Sequence, residues 1–195
     1  MSESKEIRVE DIRKEAEERR CPVQKTMYYI EKYLADPMCG KCFPCSYGTY
    51  EVRARLREII SGKGTEADIG IIRRIAENLI ASSRCKKGKD TGEFIIEWLK
   101  SDDFIKHMER VCPARECLAL IEYRIDPDKC IMCGECKAVC KVNAIVGEKR
   151  KIYLSGYLPF EIRQKRCTKC GECLKVCPTE AIMIVDVKED VEVKV

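Results

Sequence analysis

The sequence predicts an α+β fold, with an N-terminal all-α helical bundle followed by a small α+β domain at the C-terminal end. Three observations support this prediction. Apolar residues recur at helical spacing through much of the region before residue 110. A segment that begins at Cys130 is repeated 37 residues later. Finally, the chain contains fifteen cysteines in 195 residues, and most of them fall into closely spaced groups.

The cysteines indicate metal ligation rather than disulfide bonding. Fifteen is an odd number, and the charged N-terminal sequence MSESKEIRVEDIRKEAEERR lacks the apolar stretch of a signal peptide. No apolar run approaches the roughly 18 residues that a membrane helix needs. We therefore expect a cytoplasmic protein without a membrane span, where clustered cysteines stay reduced and bind metal.

The repeat carries the pattern C-x2-C-x2-C-x3-C twice. Its copies are Cys130-Ile-Met-Cys133-Gly-Glu-Cys136-Lys-Ala-Val-Cys140 and Cys167-Thr-Lys-Cys170-Gly-Glu-Cys173-Leu-Lys-Val-Cys177. The glycine in each copy lets the backbone curl close to an inorganic core. The three-residue gap begins a short helix that carries the fourth cysteine away from its own loop. In two-cluster ferredoxins this cysteine ligates the other cluster, so the pattern predicts a bacterial-type ferredoxin domain.

Because the fourth cysteine of each repeat ligates the other cluster, the eight cysteines are assigned to two [4Fe–4S] clusters in crossed sets. Cluster 2 takes Cys130, Cys133, Cys136 and Cys177. Cluster 3 takes Cys167, Cys170, Cys173 and Cys140. Two zinc ribbons are the alternative, but zinc sites pair two Cys-x2-Cys knuckles and do not need a third cysteine at this spacing plus a fourth. One departure from the ferredoxin pattern is Lys141, which follows Cys140 where proline is usual.

The segment between the repeats, from Gly147 to Arg166, is longer than a simple connection requires. We interpret it as an extra hairpin or loop. It serves either as a docking surface or as a structural cover over the clusters.

A third cysteine loop lies in the N-terminal half, at Cys39-Gly-Lys-Cys42-Phe-Pro-Cys45, and the next cysteine is Cys85. Two helices are predicted between them. The first carries an apolar stripe that ends before Gly62, and the second is capped by Thr65 with Asp68 three residues on. Antiparallel packing of these helices returns Cys85 to the loop. Further helices are predicted around residues 23–34, 94–99 and 104–108.

This region resembles a known family. The motif Cys-Gly-x-Cys-x-Pro-Cys, the cysteine forty positions later and the helical continuation are similar to the iron–sulfur-binding region of the NADH-binding flavoprotein subunit of complex I. The resemblance covers residues 37–107. It implies that one [4Fe–4S] cluster, cluster 1, is held by Cys39, Cys42, Cys45 and Cys85.

The resemblance continues through Cys112-Pro-Ala-x-x-Cys117 and Tyr123-x-Ile125-x-Pro127-x-Lys129-Cys130 into the ferredoxin repeats. This order of motifs is similar to the C-terminal part of the flavoprotein subunits of NAD-linked multimeric hydrogenases and formate dehydrogenases, which belong to anaerobic metabolism. Those subunits place a flavin and nicotinamide domain upstream, whereas 38 residues precede Cys39 here. Gly62-Lys-Gly64 is a turn between helices rather than a phosphate loop. We therefore expect no flavin or NADH binding by this sequence.

These patterns divide the chain into three predicted parts. Residues 1–36 form an N-terminal helical extension, residues 37–121 a helical iron–sulfur-binding domain, and residues 122–195 the bacterial-type ferredoxin domain.

Three cysteines remain after twelve are assigned to clusters. Cys112 and Cys117 lie close in sequence to His107, the only histidine of the chain, and Cys21 is the third. Together these four residues form a candidate Cys3His zinc site. The alternative is that the cysteines are free thiols and the histidine lies on the surface.

The basic formal charge does not indicate nucleic-acid binding. Twelve ligating thiolates and three oxidised cores of about +2 each turn the formal charge of +4 into about −2. The lysines that flank the ferredoxin motifs offset cluster charge or contact acidic partners. They are Lys129, Lys137, Lys141, Lys165, Lys169 and Lys175.

The favoured function is a non-catalytic electron-transfer subunit with three [4Fe–4S] clusters. It would relay single electrons between a flavin/NAD(P)-binding subunit and a catalytic metal-cofactor subunit of a soluble multimeric oxidoreductase, of the hydrogenase, formate dehydrogenase or tungsten/molybdenum type. Soluble ferredoxin is a further candidate partner. The alternatives are a free polyferredoxin shuttle and, more remotely, a zinc-dependent binding module. The sequence contains no catalytic constellation.

Overall fold

A computed structural model describes residues 8–150 and 158–187. The chain divides into two units, Met1–Leu120 and Ile121–Val195. The first is helical, whereas the second combines short helices with two small sheets, so the α+β prediction is confirmed. The predicted boundary after residue 121 lies one residue from this division. The predicted boundary after residue 36 instead lies inside the first unit.

The described part of the first unit, residues 8–120, is a bundle of six α-helices with two short helical turns. The α-helices are α1 (Val9–Glu17), α2 (Pro22–Ala35), α3 (Thr49–Ile60), α4 (Glu66–Ser82), α5 (Lys86–Leu99) and α6 (Asp103–Met108). A π-helical turn spans Pro44–Gly48 and a 3-10 turn spans Leu118–Leu120. Helix α2 packs against both α3 and α5 and is therefore part of the bundle. Among the described residues, no helix has the length and apolarity needed to cross a membrane.

The α3–α4 hairpin forms as the sequence predicts. Gly62 has a φ of +76° in the turn, a conformation that favours glycine. Thr65 and Asp68 form a capping box at the start of α4. Arg55 of α3 also donates to Asp68, at 2.8 Å between Nη1 and Oδ1. Burial by itself would raise the pKa of Asp68, but the hydrogen bonds from Thr65 and Arg55 outweigh it and lower that pKa. This carboxylate therefore ties the two helices together.

Within residues 121–150 and 158–187, the second unit contains four strands and two short helices. They are β1 (Ile121–Ile125), α7 (Glu135–Val139), β2 (Ile145–Val146), β3 (Glu161–Ile162), α8 (Glu172–Val176) and β4 (Ile182–Asp186). Strands β1 and β4 pair antiparallel, with Tyr123 opposite Ile184. Strands β2 and β3 also pair antiparallel, with Ile145 opposite Ile162. Of the predicted insertion, residues 151–157 lie outside the described residues, and its later part contributes β3.

The sequence repeat is also a repeat of backbone conformation. Three pairs of residues 37 positions apart have positive φ angles: Met132 and Lys169 (57° and 58°), Gly134 and Gly171 (85° and 79°), Asn143 and Glu180 (50° and 50°). Helices α7 and α8 begin directly after the two glycines and end directly before Cys140 and Cys177. The predicted tight loop followed by a short helix is therefore confirmed in both copies.

Candidate metal centres

Two cavities in the described part of the second unit are each lined by four cysteines, and each of these cavities combines both repeats. Three cysteines of each cavity come from one repeat and the fourth comes from the other. The first cavity is lined by Cys130, Cys133, Cys136 and Cys177. The second is lined by Cys140, Cys167, Cys170 and Cys173. These are the two crossed sets assigned to clusters 2 and 3. Four cysteine thiolates are the ligand set that a [4Fe–4S] cluster requires, so the residues of both cavities fit such a cluster.

Backbone amides donate hydrogen bonds to sulfurs around both cavities. The amide of Ala144 lies 3.2 Å from Cys140 Sγ, and that of Ala181 lies 3.2 Å from Cys177 Sγ. Equivalent bonds in the two copies therefore stabilise the two crossing sulfurs. Burial raises the pKa of Cys136 to about 11. A thiolate at this position is costly unless a cation shares its charge, as the iron of a cluster does.

The third cysteine loop lies in the first unit, against the start of α5. Gly40 turns the loop with a φ of +67°, and Cys45 lies in the π-helical turn. Cys85 is the N-cap residue of α5. The backbone of the neighbouring Arg84 hydrogen bonds to Cys42 and lowers the pKa of that thiol. The helical hairpin thus returns the chain at Cys85 to the loop.

Two buried hydroxyl groups contact the sulfur of Cys45. Tyr33 of α2 donates to it at 3.6 Å between Oη and Sγ, and Ser83 Oγ lies 3.6 Å from the same sulfur. Burial raises the pKa of Cys45, and both hydroxyls oppose that rise. Burial and the contact with Cys45 raise the pKa of Tyr33 far above its ordinary value, so its phenol stays protonated and donates. Sequence reasoning did not find either hydroxyl. Ser83 lies two positions before Cys85, but nothing in the sequence marks Tyr33.

Gly88 leaves the space that Ser83 and Cys45 occupy, and its replacement by alanine is expected to prevent binding of the predicted cluster 1. A Cβ atom at this position would lie 2.5 Å from Ser83 Oγ and 2.7 Å from Cys45 Sγ, distances that real Cβ atoms do not adopt. The variant should therefore lose about four irons and four sulfides per chain, the content of one [4Fe–4S] cluster. Chemical analysis of the purified protein measures this loss.

The matched control is Gly70→Ala, because Gly70 also lies inside a helix but has no atom within 4 Å of an added Cβ. This variant should keep its full iron content and gain up to about 1 kcal/mol of stability from the lower entropy of its unfolded state. A Gly88→Ala protein with undiminished iron would contradict the close packing at Cys45.

A separate set of metal-binding side chains lies in the first unit. Cys21, His107, Cys112 and Cys117 are all buried, and their candidate ligand atoms lie within 4.8 Å of one another. His107 Nε2 is 3.4 Å from Cys21 Sγ and 3.3 Å from Cys117 Sγ, and the two sulfurs are 3.9 Å apart. A tetrahedral zinc ion with its usual bond lengths separates two sulfurs by about 3.8 Å and a sulfur from a nitrogen by about 3.5 Å. The structure therefore brings together all four predicted residues, and the distances among Cys21, His107 and Cys117 fit zinc.

Neighbouring groups orient this set. His107 Nδ1 lies 2.5 Å from the carbonyl oxygen of Asp103, which directs the lone pair of Nε2 towards the cysteines. The side-chain amide of Gln24 donates to Cys117 Sγ at 3.5 Å. The Glu116 carboxylate accepts from the backbone amide of Cys21 at 2.9 Å and holds that residue at the start of α2. Sequence reasoning did not identify Gln24 or Glu116 as supporting residues.

The electrostatics of the set also favour a cation. Burial lowers the pKa of His107, but hydrogen bonds with Cys112 and Cys21 outweigh it and raise that pKa to about 10. Side-chain hydrogen bonds with Cys117 and Cys21 lower the pKa of Cys112, whereas those with Cys112 and Cys21 raise the pKa of Cys117. The cysteines thus compete for protons in a buried space. A divalent metal ion removes this competition because it neutralises the thiolates directly.

The folds and the cysteine sites define an iron–sulfur protein. Residues 25–109 match the NADH-ubiquinone oxidoreductase-F iron–sulfur binding region, and residues 123–185 match the 4Fe–4S dicluster domain. The chain therefore contains these two iron–sulfur modules in this order, which confirms the resemblance found in the sequence.

Several proteins with related sequences are named as subunits of oxidoreductases. The NADP-reducing hydrogenase subunit HndC of Solidesulfovibrio fructosivorans is 33% identical over 67% of this chain and 27% of its own length. A subunit of the NADH-quinone oxidoreductase of Streptomyces coelicolor is 35% identical over 50% of this chain and 22% of its own length. The beta subunit of the NADP(+)-dependent formate dehydrogenase of Moorella thermoacetica is 31% identical over 31% of this chain and 9% of its own length. The chain spans less than a third of each relative.

Proposed function

We propose that this chain is an electron-transfer subunit that carries three [4Fe–4S] clusters and relays single electrons within a multimeric oxidoreductase. The observation that carries the proposal is the pair of crossed cysteine cavities in the second unit. Zinc ribbons do not need that arrangement, whereas two-cluster ferredoxins do. The Cys39, Cys42, Cys45 and Cys85 set, close to Gly88 and the two hydroxyls, supports the third cluster.

The clusters would supply one-electron chemistry. The side chains would bind the clusters, exclude water from them and adjust their reduction potentials. Ten of the twelve proposed ligands are buried or half-buried, which keeps water from the cluster sites. The exceptions are Cys39 in the first unit and Cys170 in the second, which are exposed. Each unit therefore presents one ligand at its surface. These exposed ligands are suitable places for electrons to enter and leave the chain.

We propose two kinds of partner. The names of the relatives include an NADP-reducing hydrogenase, an NADH-quinone oxidoreductase and a formate dehydrogenase. They support a flavin- or NAD(P)-binding subunit on one side of the relay. On the other side they support a subunit with a catalytic metal cofactor, of the hydrogenase, formate dehydrogenase or tungsten/molybdenum type. Soluble ferredoxin would serve as a further exchange partner.

Zinc is the fourth metal centre of the proposal. Cys21, His107, Cys112 and Cys117 would bind one structural zinc ion, because four protein ligands leave no open position for a substrate. This site would join the start of α2 to α6 and to the segment after α6, all within the first unit.

Anaerobic purification from the native organism tests the proposal. Iron, zinc and acid-labile sulfide are counted, and the co-purifying subunits are identified. We expect about twelve irons and twelve sulfides per chain, as three [4Fe–4S] clusters require, together with a flavin- or metal-cofactor-containing partner. About eight irons would contradict cluster 1. Elution of the native protein as a lone small species would favour the free polyferredoxin shuttle. A colourless protein that contains zinc alone would favour the binding module.

A further inference from the structure

The sulfurs of the proposed clusters receive their hydrogen bonds from different kinds of donor. In the second unit, the crossing sulfurs of Cys140 and Cys177 accept from backbone amides, and the Thr179 hydroxyl oxygen also lies 3.8 Å from Cys177 Sγ. A substitution that retains the fold leaves the backbone donors in place. In the first unit, Cys45 accepts from the side chains of Tyr33 and Ser83. These donors belong to side chains, so a single substitution removes each of them.

The side chains of Tyr33, Ser83 and Cys45 are buried within the bundle. Tyr33 is 1% exposed, Ser83 is 5% exposed and Cys45 is 2% exposed. Added negative charge is costly there because water does not solvate it. A hydroxyl that points at a ligand sulfur offsets this cost, and its effect is strong because the surroundings have a low effective dielectric constant.

The hydroxyls are held in place by the packing around them. The ring of Tyr33 stacks on that of Tyr29 with centroids 6.4 Å apart. Ser83 is the C-cap residue of α4, and Gly88 leaves the space that its side chain occupies. When Cys45 is an iron ligand its sulfur has no proton. Both hydroxyls must then donate to it, so their direction is fixed as well as their position.

We propose that Tyr33 and Ser83 are positioning residues that raise the reduction potential of cluster 1. The inference rests on the proposed function, which places that cluster at Cys39, Cys42, Cys45 and Cys85. On reduction, one electron from a redox partner is added to the cluster, and negative charge increases on its ligand sulfurs. The two hydroxyls stabilise this reduced state more than the oxidised state, because hydrogen bonds to the sulfurs help to set cluster potential. No bond to Tyr33 or Ser83 is broken, and no proton moves.

A redox titration of the full-length chain tests the inference. The proteins are wild type, Tyr33→Phe, Ser83→Ala and the double variant, each reduced stepwise under anaerobic conditions and followed by electron paramagnetic resonance. We expect one reduction step to move to a more negative potential in each single variant, and further in the double variant. The other two steps should stay in place and act as internal references, because their ligand cysteines lie in the second unit.

Tyr29→Phe is the matched control. Tyr29 lies on the same helix and is equally buried, but its hydroxyl contacts Thr91 Oγ1 at 3.4 Å rather than a sulfur. Its removal should leave all three reduction steps unchanged. A similar shift in Tyr29→Phe would mean that general loosening of the core moves the potential, and this would overturn the inference.

Iron content separates failure of the inference from failure of the proposed function. Unchanged potentials in variants with about twelve irons would overturn the tuning role and leave the three-cluster proposal intact. A wild-type protein with only about eight irons would overturn both. Loss of about four irons in both single variants would overturn the tuning role as well, because the hydroxyls would then be needed to hold the cluster.

Discussion

Replacement of Cys130 and Cys177 together by alanine is expected to remove about four irons and four sulfides per chain, because both residues would ligate the same [4Fe–4S] cluster. Replacement of Cys130 and Cys140 together is expected to remove about eight of each, because those residues lie in one repeat but line different cavities. Iron and sulfide analysis of the two anaerobically purified variants measures the difference. This comparison tests the crossed assignment directly.

The opposite result would show that each repeat binds its own cluster. The Cys130/Cys140 variant would then lose about four irons and the Cys130/Cys177 variant about eight. The Cys130/Cys133 double variant is the matched control, since both schemes place these two cysteines on one cluster and predict the loss of about four irons. Alanine is preferred to serine, because a serine oxygen at the same position can still act as a ligand.

Replacement of His107 by alanine is expected to reduce the zinc content from about one ion per chain to nearly none, while the iron content stays the same. The imidazole is fully buried and would supply one of the four ligands. Its loss would leave three buried cysteines without a complete metal site. The cost of uncompensated buried charges predicts destabilisation of the first unit by at least about 3 kcal/mol. Metal analysis and thermal unfolding followed by helical circular dichroism measure the two effects.

Thr26→Val is the matched control for the zinc prediction. Thr26 is fully buried on α2, and its hydroxyl donates to the carbonyl oxygen of Pro22 at 2.9 Å rather than to the cysteine set. This variant should retain zinc despite losing a buried hydroxyl group. Unchanged zinc content in His107→Ala would contradict the site. Loss of iron together with zinc would contradict the expectation that the zinc site and the iron sites are independent.

The ferredoxin-like unit was predictable because its chemistry is local. The spacing of the cysteines determines the loops, the glycines permit left-handed conformations, and the three-residue gap produces the short helices. Even here, Met132 and Lys169 have positive φ angles that their residue types do not predict. Neither side chain favours that conformation, so the position in one repeat can be inferred only after the backbone conformation of the other repeat is known.

The helices of the first unit were predictable from local patterns, but the way they pair was not. The Thr65 and Asp68 capping box and the apolar stripes correctly predict α3 and α4. The structure packs α2 against both α3 and α5. A helix with a wide buried face needs a partner, but the sequence does not say which helix supplies it.

The sequence by itself determined which residues could bind metal, because the cysteines, the histidine and their spacings can be read from it directly. Only the tertiary structure decided which of them meet. It brought Cys21 to within 3.4 Å of His107 Nε2 across 86 positions, and it placed Tyr33 against Cys45 in a dry core. Contacts of this kind depend on how whole helices pack, and packing is a property of complementary surfaces rather than of local spacing.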